Sequence, residues 1–296
     1  MPAHPAAATP ADSRTASRAL AGLLGGAILI GLAPIFVRLA DVGPTAAAFW
    51  RTALATPLLL IAWAARWRRG EFARTWPMLL LAGACFAGDL GVWHRSIHYT
   101  SVADATLFAN LAPIFVALAA WRWFGESIGA RFVAGLLLAL GGAAVLVSVN
   151  VGRAGPALFG DALGIAAAVF YAGYLLAVSR ARRDASALAV MAVSTALTAA
   201  LLLPAAAVEQ GNFWPQSAQG WGVLLAMAWL SHAAGQGLIA WALAHLPAAF
   251  SSVTLLVQPV AATAFAWRLL GEPFGARQAL GAAVVLAGIL LCRRAA

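Results

Sequence analysis

An internal duplication constrains this chain more than any other feature of its sequence. Residues 121–131 read W-R-W-F-G-E-S-I-G-A-R, and 146 positions later residues 267–277 read W-R-L-L-G-E-P-F-G-A-R, identical at seven of eleven positions. The match continues upstream at the same offset, where Pro113 aligns with Pro259. A long unit was therefore copied, and the fold is expected to contain two halves built alike.

The composition places both halves in a lipid bilayer. Hydrophobic residues make up 63% of the chain, charged residues 10%, and the mean hydropathy is +0.86, so there is too little polar surface for a soluble globule. A membrane-spanning helix needs about 20 apolar residues. The apolar runs predict ten such helices, at approximately 18–38, 45–65, 77–97, 101–121, 130–149, 158–179, 186–207, 220–244, 248–269 and 276–292.

The distribution of arginines predicts the orientation of these helices. The net charge is +9, and all nineteen basic residues are arginines. Thirteen of them lie in segments that share one face of the predicted membrane protein, five lie on the other face, and Arg51 lies inside the second helix. Because positive residues are retained in the cytoplasm, both termini are predicted to be cytoplasmic. This pattern also argues against nucleic acid as the partner of the basic residues.

Five helices per copy is an odd number, which predicts that the second copy is inverted in the membrane relative to the first. The expected organisation is a disordered cytoplasmic tail at 1–16, a first five-helix repeat at 17–150 and a second, inverted repeat at 156–294. Inverted repeats are typical of secondary transporters, in which the substrate site lies between the halves near the middle of the membrane.

Several motifs resemble one transporter family. They are the Ala48-Phe49-Trp50-Arg51 start of the second helix, the stretch from Tyr99-Thr100-Ser101 to Pro113, and the two Gly-Glu turns. With the five-plus-five plan, they resemble EamA-type exporters of the drug/metabolite transporter superfamily over roughly residues 18–292. The nearest resemblance is to YddG-like exporters of aromatic and hydrophobic amino acids. The resemblance implies ten helices around a central cavity in a bacterial inner membrane.

Ionisable residues in the middle of predicted helices identify candidate site residues, because a charge there costs roughly 2.5–3.5 kcal/mol. Asp89 lies near the centre of the third helix, and Trp93 follows one turn later. On the eighth helix, His232 and Gln236 have the i, i+4 spacing of one helical face. We hypothesise that these side chains line one cavity; the alternative is structural, with Asp89 paired to Arg51 or Arg38.

Two proline-containing helices supply further candidates. Asn110 precedes Pro113 on the fourth helix, and Gln258 precedes Pro259 on the ninth. Proline frees backbone carbonyls one turn earlier, which a membrane tolerates only where protein or a wet cavity satisfies them. Both prolines are therefore expected to kink their helices beside the substrate path, with the amides binding substrate or joining neighbouring helices.

Aromatic residues at mid-membrane depth suit an apolar or aromatic substrate. Tyr171 and Tyr174, together with Trp93, are the candidates of this kind. Arg51 has two interpretations, an anchor for an anion or a structural, paired side chain, and the structural one is favoured from the sequence.

The function predicted from these features is export of small amphipathic metabolites, with hydrophobic and aromatic amino acids first, by alternating access. One alternative is exchange of phosphorylated metabolites or nucleotide sugars, and another is a membrane-embedded enzyme using Asp89 and His232. The chain contains no lysine and therefore no phosphate-binding Gly-x-x-x-x-Gly-Lys loop. We expect no enzyme activity, cofactor, metal or nucleic acid partner, and a monomer or weak homodimer in contact with membrane lipid.

Overall fold

The computed structural model describes residues 10–68, 70–97, 99–100, 102–147, 156–209 and 211–294. Within these ranges all regular secondary structure is helical. Nine helical segments there are long and apolar enough to cross a membrane, and Ala130–Leu146 is a shorter apolar helix. The predicted all-α membrane fold of ten helices is therefore confirmed.

The ten spans are numbered in chain order. In the first half, span 1 comprises Pro10–Gly31 and Ala33–Leu39, span 2 Pro44–Ala53 and Thr56–Ala64, span 3 Glu71–Ile97, span 4 Val102–Ala109 and Ala112–Phe124, and span 5 Ala130–Val147. In the second half, span 6 is Pro156–Ala181, span 7 Ala187–Val208, span 8 Ala218–Ala226, Met227–Gln236 and Gly237–Ala242, span 9 Ala248–Thr254 and Val257–Leu270, and span 10 Ala276–Arg293.

Two helices begin earlier than the apolar runs suggest. Span 1 begins at Pro10, inside the segment predicted as a tail, whose residues 1–9 lie outside the described ranges. Span 3 begins at Glu71 rather than at residue 77, because its polar first turn is held by side-chain contacts. The Glu71 carboxylate accepts hydrogen bonds from Trp63 Nε1 at 2.8 Å and from the backbone N–H of Ser186 at 2.9 Å. The predicted boundary between the repeats, at 150–156, falls largely outside the described residues.

Prolines divide four of the spans into two helical pieces. The second pieces of spans 1, 2, 4 and 9 each carry a proline in their first turn, namely Pro34, Pro57, Pro113 and Pro259. A proline there has no backbone N–H to donate, so the preceding turn loses a helical hydrogen bond. The helices of spans 4 and 9 are interrupted just before Pro113 and Pro259, where kinks were expected.

Spans 5 and 10, which are equivalent helices of the two repeats, pack along a seam of glycines. A Cβ atom on Gly142 would lie 2.8 Å from the carbonyl oxygen of Gly281, and one on Gly135 would lie 2.8 Å from that of Gly288. The offset of 146 makes Gly135 equivalent to Gly281 and Gly142 equivalent to Gly288. Gly142 therefore contacts the equivalent of Gly135, and Gly135 contacts the equivalent of Gly142. This reciprocal pattern is that of a two-fold axis. The contacts follow opposite orders along the two helices, so spans 5 and 10 are antiparallel and the repeats are inverted, as predicted.

The same symmetry organises the helices around the centre. Span 3 packs against span 6, and its equivalent, span 8, packs against span 1. Span 4 packs against the first piece of span 9, its own equivalent. The end of the molecule that carries Arg66, Arg68, Arg122, Arg131 and Arg180 is called the arginine-rich face below, and the other end the arginine-poor face.

Candidate functional site

A cavity of about 200 Å³ lies between the two halves. Its walls come from spans 1, 2 and 3 and from spans 4, 6, 8 and 9. The lining extends from the middle of the membrane to Val37 near the end of span 1 and to His94 near the end of span 3. Both helix ends belong to the arginine-poor face, so the cavity opens toward that face.

Among its described lining residues the cavity has one arginine and one aspartate, which interact without forming an ion pair. Arg51 of span 2 and Asp89 of span 3 both line it, and each lies within electrostatic range of the other. No ion pair joins them in the described part of the chain. Arg51 Nε is buried and makes no hydrogen bond, while the guanidinium lies over the Phe86 ring at 5.9 Å. The pair can therefore accept one anionic and one cationic group.

Amide side chains surround this pair. Asn110 of span 4, Gln236 of span 8 and Gln258 of span 9 all line the cavity. Three of their atoms, Asn110 Nδ2, Gln236 Oε1 and Gln258 Nε2, are buried without a hydrogen-bond partner. The Tyr171 hydroxyl lies beside the two glutamine amides. Buried polar groups normally find partners, so these atoms offer donors and acceptors to whatever occupies the cavity.

Aromatic and aliphatic side chains form the remaining wall. Phe86 closes the inner end of the cavity, and Trp93 lies nearer the opening, where its ring meets His94 edge-on at 4.9 Å. Ile30, Leu90 and Met227 add apolar surface. A cavity with a central charge pair, spare amide groups and an aromatic wall is suited to a small molecule with both a polar end and an apolar end.

Seven of the ten residues predicted for the site line this cavity. They are Asp89, Trp93, Asn110, Tyr171, Gln236, Gln258 and Pro259.

His232, Tyr174 and Pro113 lie outside the cavity. His232 is buried behind Phe86, with its ring stacked on the Phe86 ring at 5.5 Å and its Nε2 atom 2.8 Å from Thr195 Oγ1. Tyr174 packs against Phe86 at 4.7 Å, and Pro113 is buried in span 4.

The expected common face of His232 and Gln236 is altered by helix geometry. Residues Met227–Gln236 form a π-helix, in which hydrogen bonds connect residues five apart and a turn takes more residues than in an α-helix. Side chains at i and i+4 therefore do not stack, and only Gln236 reaches the cavity.

Arg51 lines the cavity although the sequence favoured a structural interpretation for it. Its signal was visible, since a charged residue inside a predicted span is rare and needs a partner. Its position beside Asp89 depends on the packing of span 2 against span 3, which no local pattern reveals. The suggested partner Arg38 instead forms an ion pair with Glu272 on the surface.

At the arginine-rich face, Glu126, which follows span 4, joins this span to span 9. Its carboxylate accepts hydrogen bonds from the backbone N–H groups of Ala248 at 2.8 Å and Ala249 at 3.0 Å. These are the unpaired donors at the start of span 9, where a negative charge is favoured. The equivalent residue, Glu272, pairs with Arg38 instead. The two equivalent glutamates therefore make different contacts at the two ends of the molecule.

Comparisons with known proteins agree with this architecture. The EamA-like transporter family matches residues 17–148 and again residues 158–294. The pseudopaline exporter CntI from two strains of Pseudomonas aeruginosa is 29% identical over 251 residues, which cover 83% of this chain and 84% of the relative. A protein of known crystal structure superposes with a TM-score of 0.81 at 21% identity, covering 94% of this chain and 99% of that chain. With both halves matched, the chain belongs to the EamA-like transporter family.

Proposed function

We propose that this protein exports small zwitterionic, amphipathic metabolites from the cytoplasm across a bacterial inner membrane by alternating access. Hydrophobic and aromatic amino acids are the first candidates. The observation that carries the proposal is the pair of opposite charges, Arg51 and Asp89, which lie in one cavity without bonding to each other. An amino acid carries a carboxylate and an ammonium group on one carbon, and it can compensate both charges at once.

The surroundings of the pair support the amphipathic part of the proposal. Phe86, Trp93 and Tyr171 provide aromatic surface for an apolar side chain. The amides of Gln236 and Gln258 can bind polar groups of the substrate. Membership of a transporter family and the similarity to a pseudopaline exporter support transport in the export direction.

The two alternatives have less support from the cavity. A phosphate group requires several converging cations, and Arg51 is the one arginine among the described lining residues. An enzyme using Asp89 and His232 as an acid-base pair requires both side chains to reach one bound molecule. Asp89 lines the cavity, whereas His232 lies behind Phe86.

Counterflow in proteoliposomes tests the proposal. Vesicles containing the purified protein are loaded with one unlabelled compound, and trace labelled phenylalanine is added outside. We expect saturable accumulation of label when the interior holds phenylalanine, leucine or tryptophan, and none when it holds a sugar phosphate. Pseudopaline belongs in the panel as the substrate of the relative. Pseudopaline and a sugar phosphate are also used as labelled tracers, each with the same compound inside. Exchange of either tracer, with no accumulation of labelled phenylalanine under any loading, would refute the amino acid proposal while leaving transport intact.

A further inference from the structure

Two equivalent residues of the repeats meet at the inner end of the cavity. Phe86 and His232 are 146 positions apart, and their rings stack with centroids 5.5 Å apart and an interplanar angle of 26°. In a pair of two-fold-related units, a residue touches its own equivalent only near the axis. The stacked rings therefore mark the pseudo-two-fold axis of the molecule. Phe86 faces the cavity, and His232, which is 1% exposed, faces the closed side.

The symmetry assigns an image to every residue that lines the cavity. Ala48 of span 2 maps onto Ser194 of span 7, and Thr106 of span 4 maps onto Ser252 of span 9. Ser194 is 3% exposed and Ser252 is 1% exposed. With His232, these images form a buried set between Phe86 and the arginine-rich face. When inverted repeats exchange conformations, such images become the lining of the second cavity.

Most images of the lining residues are apolar, but Ser194, Ser252 and His232 are polar although they are buried in the membrane interior. Ser194 Oγ bonds to the carbonyl of Val190 at 2.6 Å, and Ser252 Oγ bonds to that of Ala249 at 2.8 Å, so each hydroxyl retains lone pairs for a further partner. His232 Nδ1 is buried without a partner. Unsatisfied polar atoms in a membrane interior are costly. A water-filled or substrate-filled state of this region would satisfy them.

We propose that His232, Ser194 and Ser252 line the substrate path when the transporter is open to the arginine-rich face. These three residues, called the hydrogen-bonding station below, would bind the polar groups of the same small zwitterion. The inference therefore rests on the proposed function. In that state His232 occupies the position relative to the cavity that Phe86 occupies here. The offset maps Arg51 onto Leu197 and Asp89 onto Gly235, so the station itself carries no charge pair.

Glu126 is the contact that keeps this station closed. Its bonds to Ala248 and Ala249 join the end of span 4 to the start of span 9, the helix that carries Ser252. The substitution Glu126→Gln keeps the size of the side chain but removes its charge and leaves the amide one acceptor oxygen for the two backbone donors. The variant is therefore expected to populate the state open to the arginine-rich face more than the wild type does.

Cysteine accessibility in membrane vesicles tests the proposal. In a background with Cys85→Ala and Cys292→Ala, single variants Ser252→Cys and Thr106→Cys are treated with a membrane-impermeant thiol reagent from each side. Exposed Ser127→Cys and Gln219→Cys identify the arginine-rich and arginine-poor faces. Val253→Cys, adjacent to Ser252 but 0% exposed and equivalent to a residue that does not line the cavity, is the matched control.

We expect Thr106→Cys to react from the arginine-poor face and Ser252→Cys from the arginine-rich face. Adding Glu126→Gln should speed the second reaction severalfold and slow the first. The proposal is overturned if Ser252→Cys and a second probe, Ser194→Cys, stay unreactive from the arginine-rich face while Thr106→Cys reacts. It is also overturned if Val253→Cys reacts as fast as Ser252→Cys, which indicates general loosening. The thiol-labelling experiment needs no substrate. If the protein does not transport amino acids, this is seen separately, as the absence of counterflow in the proteoliposome assay.

Discussion

Arg51 and Asp89 define the chemistry of the cavity at the scale of single residues. A charged side chain at the middle of a membrane costs roughly 2.5–3.5 kcal/mol even on lenient scales. Direct pairing would compensate both charges, but the structure holds them near each other without an ion pair. Under the proposed function, a zwitterion would compensate both charges at once, which a neutral molecule or a phosphate would not do.

The substitution Arg51→Gln should reduce phenylalanine counterflow about tenfold or more at limiting substrate. The reason is the loss of a charge-assisted hydrogen bond, roughly 1.5–3 kcal/mol, where about 1.4 kcal/mol corresponds to a factor of ten. Competition by phenylalaninol, which lacks the carboxylate, should change much less. Thr52→Ala is the matched control, since Thr52 is adjacent but its hydroxyl bonds within its own helix. If Arg51→Gln weakened the binding of phenylalaninol as much as that of phenylalanine, Arg51 would not be the carboxylate anchor.

Asp89→Asn provides the complementary test. Removing the carboxylate should weaken phenylalanine more than 3-phenylpropionate, which lacks the ammonium group, and the loss should again be about tenfold. Initial rates of counterflow and competition measure both compounds. Unchanged phenylalanine transport at limiting and saturating concentrations would remove Asp89 from the binding site.

Trp93 should control the preference for aromatic substrates. It lines the cavity near its opening and provides a flat apolar surface. Replacing it with alanine should lower the affinity for phenylalanine more than that for alanine or serine, because aromatic pairs contribute about 0.5–1.5 kcal/mol beyond burial. Competition in the counterflow assay ranks the amino acids. A uniform loss for all of them would assign Trp93 to the shape of the helix rather than to specificity.

At the scale of helices, the glycine seam between spans 5 and 10 fixes how the two halves join. The helix backbones approach so closely that a Cβ atom on Gly142 would lie 2.5 Å from the backbone nitrogen of Val285. Small residues permit this contact, and van der Waals packing is a main source of helix association in lipid. The seam lies away from the cavity, so it stabilises the molecule without touching substrate.

Gly142→Ala should destabilise the protein, and Gly141→Ala should not. The added methyl at Gly142 enters a closed contact, which typically costs about 1–3 kcal/mol. At Gly141 nothing lies within 4 Å of the added atom, and alanine favours helix by roughly 1 kcal/mol. Thermal unfolding in detergent distinguishes the two variants. A lower melting temperature is expected for Gly142→Ala alone, and equal behaviour would mean that the seam is not tightly packed.

At the scale of the whole molecule, the fold is an inverted duplication, but the two halves differ in their charged residues and in the contacts that these make. Glycine turns are retained in both copies, where Gly125 and Gly271 have positive φ values of 70° and 69°. The charge pair lies only in the first copy, and Glu126 and Glu272 contact different partners. The architecture is therefore symmetric, whereas the charge pair and the contacts of the two glutamates are not.

Fusion reporters test the predicted orientation. We expect green fluorescent protein at the C-terminus to fluoresce and alkaline phosphatase there to be inactive, because arginine-rich segments remain in the cytoplasm. A phosphatase fused after Val208, at the end of span 7, should be active. The reverse result at both sites would invert the topology and would make the present cavity open to the cytoplasm.

The sequence by itself determined the duplication, the ten spans, the inverted arrangement and seven of the residues that line the cavity, because apolar length, charge distribution and repeat offset are local or additive properties. Asp89, Gln236 and Gln258 stood out because polar residues are costly in a membrane. Only the tertiary structure decided that Arg51 lies beside Asp89 and that His232 lies behind Phe86. These placements depend on helix rotation, on the π-helix in span 8 and on packing between residues far apart in sequence, which no single helix encodes.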